Sequence, residues 1–305
     1  MTPAVAWPDG RQFAFTVCDD PDAQSLDVSR AVYGLLEDLG LRTTKAVWMI
    51  EPPERNSPGE TCESPESLEL CLALQQKGFE IAYHNGAPGT LHRADIVRSL
   101  DLFRSHFGDP ATMANHYNGD AVYWGDARLS GPARMIYKAV RWKPSPHYGH
   151  VEGHPCFWGD LCRERIRYCR NFVFRSINTL SACPFMPYTD PQRPYVQAWY
   201  AASEGANCER FLRQCSEREQ DRLEAEGGAC IMYTHFGHGF VTDGKINPEF
   251  VRLMRRLAAK NGWFVPVRTL LDYLGATRGT RVLTRRERSQ LEYSWLAAKL
   301  VHGTS

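Results

Sequence analysis

From Phe13 onward the chain alternates short apolar runs with longer amphipathic ones, and this rhythm constrains the fold more than any other feature. Phe13–Val17, Thr43–Ile50 and Phe79–Tyr83 read as strands, and Ala111–His116 reads as a fourth. Between them, Asp27–Leu39 places Val28, Val32, Leu35, Leu36 and Leu39 on one face and stops at Gly40. Ser64–Lys77, with Ser64 as cap, and His92–Phe107 read as helices too. Strands separated by helices of this length are parallel strands joined by crossovers. The rhythm returns near the end with Tyr195–Tyr200 and Ala229–Thr234 as strands and Asn207–Glu226 and Asn247–Asn261 as helices. A short strand at Trp263–Val267 and a helix at Arg268–Leu274 close it. The expectation is one α/β barrel-like domain over 1–280, with a peripheral helix in 281–305.

The stretch from about 119 to 195 lacks clear periodicity and is rich in Pro, Trp and Tyr, so it reads as an irregular insertion of long loops. With 36 basic and 35 acidic residues dispersed along the chain, no nucleic-acid surface is expected. No run nears 18 apolar residues, so no membrane span is expected, and the Pro-broken start does not read as an export signal. The chain reads as cytoplasmic, and its ten cysteines as buried thiols rather than a disulfide framework. The oligomeric state is left open.

Catalytic groups on such barrels gather at the C-terminal ends of strands. Those ends carry Asp19-Asp20, His84-Asn85, Asn115-His116 and Thr234-His235. Two carboxylates held together repel unless a cation or a proton intervenes, so the acid pair suggests a metal ligand beside a general base. The competing reading is a solvated turn, because Asp-Asp-Pro-Asp is also turn chemistry. Carboxylate with imidazole is a ligand mix that suits zinc or a similar ion.

On these residues the sequence resembles the polysaccharide deacetylase family, carbohydrate esterases of family four. Phe15-Thr-Val-Cys-Asp-Asp20 looks like the family's first motif, Glu80-Ile-Ala-Tyr-His84-Asn like its second, and Ile231-Met-Tyr-Thr-His235 like its last. The resemblance implies a distorted (β/α)7 barrel and a metal-dependent hydrolase that removes an N-acyl group, N-acetyl foremost, from a sugar or a small amide-bearing molecule. It implies one divalent ion, zinc first, with cobalt, manganese or nickel as alternatives. Asp19 would be the general base, Asp20 and His84 metal ligands, and His235 the general acid. The family's second ligand histidine usually follows the first by four residues. Position 88 here is Pro, and the next histidine is His92. His92 is therefore the third-ligand candidate, with His116 or Asp22 to replace it if it stands elsewhere.

Asn115-His-Tyr-Asn-Gly119 replaces the family's third motif, so the substrate pocket is expected to differ. His116 and Trp199 are the substrate-binding candidates, Trp199 as the foremost of several aromatics (Trp124, Trp142, Trp158 and Tyr195) that could stack on a sugar face. His147, His150 and His154 invite a metal reading, but Pro and Gly interrupt their segment and incidental loop histidines are expected. Two rivals stay open: an inactive glycan-binding or assembly protein on the same barrel, and an amidohydrolase acting on a non-sugar amide.

Overall fold

A computed structural model describes residues 5–140 and 146–303. Seven parallel strands close into a barrel: β1 (Phe13–Asp19), β2 (Thr44–Val47), β3 (Glu80–Tyr83), β4 (Thr112–Met113), β5 (Tyr168–Phe174), β6 (Ala198–Glu204) and β7 (Ala229–Thr234). Each pairs with the next, and β7 returns to β1 over six residue pairs, from Ala14↔Ala229 to Asp19↔Thr234. The expected distorted (β/α)7 barrel is the architecture found.

Local chemistry sets the helices around it. Helix α1 (Leu26–Asp38) starts at Ser25, whose hydroxyl accepts from the Val28 amide, and α2 (Pro65–Gln76) starts at Ser64 in the same way. Helix α3 (Arg93–Phe107) has His92 at its N-cap without a side-chain cap bond. The expected single helix over Asn207–Glu226 is two, Cys208–Gln214 and Glu217–Ala225, broken at Cys215-Ser216.

The insertion contains a strand that periodicity does not reveal. β5 is buried at every residue, yet it carries Arg170 and Asn171 in mid-strand, which interrupts the apolar run. Without β5 the barrel would not close between β4 and β6.

The chain's last helix, α4 (Arg285–His302), packs on the insertion. Its Glu292 accepts from the Ser130 hydroxyl and from Arg193, and its Arg288 donates to Asp190. All four ionic side chains are at most 8 % exposed. Trp295 is fully buried, and Arg128 lies between its ring and that of Trp124 at 4.4 and 3.9 Å. The segment 281–303, expected as peripheral, is a packed part of the domain. Among the described residues, no helix is long and apolar enough to cross a membrane.

Candidate metal centre

Strand β1 continues regularly through Asp19, so the two adjacent acids point to opposite faces. Cys18 and Asp20 face into the barrel, where they meet side chains of β5 and β6, strands that do not neighbour β1. Asp20 is gripped by Arg170, whose NH1 and NH2 donate to its two carboxylate oxygens, the first at 2.8 Å. Asp20 and Arg170 are each at most 3 % exposed. Arg170 also lies 4.3 Å from the Tyr233 ring centroid.

Asp19 faces outward and is saturated. Its Oδ1 accepts from the Phe236 amide, and its Oδ2 accepts from Gln24 Nε2 and Tyr33 Oη, each at 2.9 Å. Burial pushes its pKa up, against the pull of Lys45 and these donors. Enclosed in this way, Asp19 fastens β1 to α1 and to the loop after β7, and it stands on the opposite side of the strand from the barrel interior.

Past Pro21 the chain turns, and Asp22 meets two imidazoles delivered by neighbouring strands. His84 directly follows β3 and His116 follows β4. His116 Nε2 lies 2.9 Å from Asp22 Oδ1, and His84 Nε2 lies 3.6 Å from Asp22 Oδ2. One ligating atom from each of Asp22, His84 and His116 falls within 4.8 Å of the others, the one such group of histidines and acids among the described residues. His235 completes the ring, its Nε2 3.6 Å from Asp22 Oδ2.

Several polar atoms here have no partner. Both nitrogens of His84 and Oδ2 of Asp22 are buried without a hydrogen bond. Such groups cost about 1–3 kcal/mol each when left unmet. One carboxylate and two imidazoles converging, with the His84 nitrogens and Asp22 Oδ2 unmet, fit a divalent cation.

Neighbours fix which nitrogen each imidazole presents. Asn118 Nδ2 donates to the carbonyls of Ala87 and Gly89, so its Oδ1 must face His116 Nδ1 at 2.8 Å as an acceptor. His116 therefore keeps a proton on Nδ1 and aims Nε2 at Asp22: doubly protonated it donates to the carboxylate, and neutral it offers a metal the Nε2 lone pair, as metal-binding histidines do. His235 is oriented in the same sense, its Nδ1 donating to the Ala206 carbonyl at 2.7 Å. Asn85, at φ +53° in the left-handed region that Asn tolerates, accepts from the His116 amide and donates to Asp120.

The electrostatics follow the geometry. Burial raises the pKa of Asp22, but the hydrogen bond from His116 and the charge of His116 and His84 outweigh it and hold the carboxyl well below its usual range. Burial lowers the pKa of His84, against Asp20 and Asp22. His116 is also penalised by burial, yet the bond to Asp22 carries it upward.

Of the residues expected at the site, His84, His116 and His235 come together, with Asp20 one strand position from the turn that supplies Asp22. His92 does not join them. It is exposed at the start of α3 and lines a surface groove with Arg55, Asn56, Thr90 and Asp95, because the 85–89 loop does not fold it back. The named alternatives, His116 and Asp22, occupy the positions it leaves. Trp199 is a correction as well. Tyr200 faces the interior, so Trp199 faces outward, near the N-terminal end of β6 and 1 % exposed, with no face for a sugar. Trp142 lies outside the described residues. Among the loop histidines, His147 is buried with Nδ1 2.7 Å from the Asn118 carbonyl, His150 accepts from the Tyr123 amide, and His154 stacks on Tyr148. Arg170 had no signal in the sequence, and Asn85 and Asn118 appeared there only as members of a strand end and of the altered third motif, with no role assigned. Each declares itself only through contacts distant along the chain.

No protein-family model matches the chain, and no curated protein matches it. Among solved structures, one from Mycobacterium smegmatis, provisionally described as a polysaccharide deacetylase, aligns over 92 % of this chain and 97 % of its own at 14 % identity, with a TM-score of 0.53. This likeness is one of fold. A second provisional polysaccharide deacetylase, involved in O-antigen biosynthesis in Bordetella bronchiseptica, aligns over 90 % and 95 % at 13 % identity with a TM-score of 0.36. A DAHP synthase of Thermotoga maritima aligns over 92 % and 76 % at 11 % identity with a TM-score of 0.37. Neither of these two carries weight beyond the numbers.

Proposed function

We propose that this chain is a metal-dependent hydrolase that cleaves an acyl group, N-acetyl foremost, from a sugar or a small amide-bearing molecule. The observation that carries the reading is the Asp22–His84–His116 group at the C-terminal mouth of a (β/α)7 barrel, with buried ligand atoms lacking partners. Those three residues would hold one divalent ion, zinc by ligand type. Such an ion, when bound, supplies Lewis acidity for a carbonyl and lowers the pKa of water toward about 7.

The chain's own groups supply the proton handling. Asp20 takes the base role that the resemblance gave Asp19, because Asp20 faces the barrel interior and its charge acts on both His84 and His116. Arg170 occupies one direction at each Asp20 oxygen and leaves lone pairs free to accept a proton. His235, with Nδ1 fixed on the Ala206 carbonyl, turns Nε2 toward the centre, where it would donate to the departing amine or alcohol. Tyr233 Oη, 3.3 Å from that nitrogen, holds it in place.

Metal content of the purified chain, with Asp22→Ala and His84→Ala beside it, is the first test, followed by a panel of N-acetyl sugars and cyclic amides. About one divalent ion per wild-type chain, lost in both variants, supports the centre. His235→Ala should then keep its metal and lose about 100-fold or more in turnover. A wild type that stays metal-free with added zinc, cobalt and manganese overturns the reading.

A further inference from the structure

A second chemically distinct cluster lies outside the barrel mouth. Between α1, α2 and the end of β2 is a cavity of about 20 Å³, room for a water-sized molecule. Gln24, Lys45, Thr61, Cys62 and Cys71 line it. Cys62 precedes the cap of α2 and is 8 % exposed, while Cys71 sits inside the helix. Both thiols border this one water-sized space together with Lys45, which acts electrostatically on each.

We infer that Cys62 and Cys71 form a peroxide-reactive dithiol, which hydrogen peroxide entering this cavity converts to a disulfide. Cys71 is the attacking thiol: it borders the cavity beside Lys45, and the neighbouring Cys62 and the Lys45 ammonium draw its pKa down against burial. Its thiolate attacks one peroxide oxygen and breaks the O–O bond, giving a sulfenic acid and hydroxide. The Cys62 sulfur then displaces the sulfenic hydroxyl. In sum, two thiols and one hydrogen peroxide give one disulfide and two waters, with the thiols oxidised by two electrons and the peroxide reduced. The cross-link would fasten the start of α2 to its second turn. The segment leading into α2 also carries Ser57, which donates to Asp22 at 2.8 Å, so the oxidised state bears on the metal-centre loop.

The chain holds its own comparison. Cys162 and Cys169 lie sulfur to sulfur at 3.8 Å, but both are fully enclosed, and burial holds the Cys169 thiol well above its usual pKa. If proximity alone governed oxidation, that pair would react as readily.

The test is hydrogen peroxide added to the full chain, then alkylation after unfolding and non-reducing peptide mapping by mass spectrometry. The expected product is a Cys62–Cys71 disulfide, with Cys162 and Cys169 recovered alkylated. Cys62→Ser should stop at a Cys71 sulfenic acid that dimedone captures, and Lys45→Met should slow the reaction by about tenfold. The inference is overturned if Cys62 and Cys71 are both recovered alkylated. It is equally overturned if Cys162–Cys169 cross-links as fast, or if dimedone marks no Cys71 in the Cys62→Ser chain.

Discussion

Replacing Asn118 by Leu is the sharpest probe of how the centre is held. Asn118 is 1 % exposed and its side chain makes four hydrogen bonds: it accepts from His116 Nδ1 at 2.8 Å and from Asn56 Nδ2 at 2.8 Å, and donates to the carbonyls of Ala87 at 3.0 Å and Gly89 at 2.7 Å. Leu removes all four and releases His116 to place its proton on either nitrogen. Loss of such an outer partner costs about 10–100-fold in metal affinity. That corresponds to about 1.4–2.8 kcal/mol. The metal-free fold should also lose about 2–4 kcal/mol, at about 1 kcal/mol per bond. Asn118→Asp separates the two effects. It keeps an acceptor for His116 Nδ1 but turns an oxygen on the Ala87 and Gly89 carbonyls, so it should lose stability while binding zinc within a few-fold of wild type. The assay is competition with a chromogenic zinc chelator, on protein whose fold is verified by circular dichroism. A folded Leu variant that binds zinc as tightly as wild type would refute the assignment of the His116 tautomer.

Three further outcomes follow from other contacts. Arg170→Met leaves Asp20 buried without its partner and should cost about 3–5 kcal/mol in urea unfolding, whereas Asp20→Leu with Arg170→Met should regain most of that loss. Asn85→Ala should destabilise by about 1 kcal/mol more than Asn85→Gly, because only Gly adopts φ +53° freely; equal losses would count against strain at that turn. Burial raises Asp120 to about 7, against about 3.9 for an unfolded aspartate. The folded chain thus binds a proton the unfolded chain lacks between those values, so the stability from this group is full below about pH 3.9 and lost as pH rises through about 7. The span is about 4 kcal/mol, at about 1.4 kcal/mol per pKa unit. Asp120→Asn should flatten the fall in stability between pH 4 and 8, and an unchanged slope would show that Asp120 is not its source.

The outer frame was legible because its signals are local. Apolar runs, Ser64 before α2 and Gly40 after α1 mark elements from their own residues, and six of seven barrel strands coincide in place with the expected runs. β5 escaped because a barrel's interior can be polar: Arg170 is buried against Asp20, a partner 150 residues away. The centre was half legible for a related reason. Strand ends identified His84, His116 and His235, but a side chain's face depends on where the strand stops. β1 runs on through Asp19, so period-two alternation parts the acid pair, and the turn at Pro21 brings forward Asp22, the next acid along.

The docking of α4 has a consequence for how the chain is made. Glu292 and Arg288 meet Arg193 and Asp190 about a hundred residues upstream, and Trp295 completes the sandwich around Arg128. These partners follow the insertion by about a hundred residues, so they leave the ribosome after it, and chains fold as they emerge. Until Arg285–His302 has emerged, the helix that covers Arg193 and Arg128 is not yet in place. A nascent chain stalled before Arg285 should therefore be protease-sensitive around 124–140 and 188–193, and bind folding factors there, with the native pattern arriving once Arg285–His302 is clear of the ribosome.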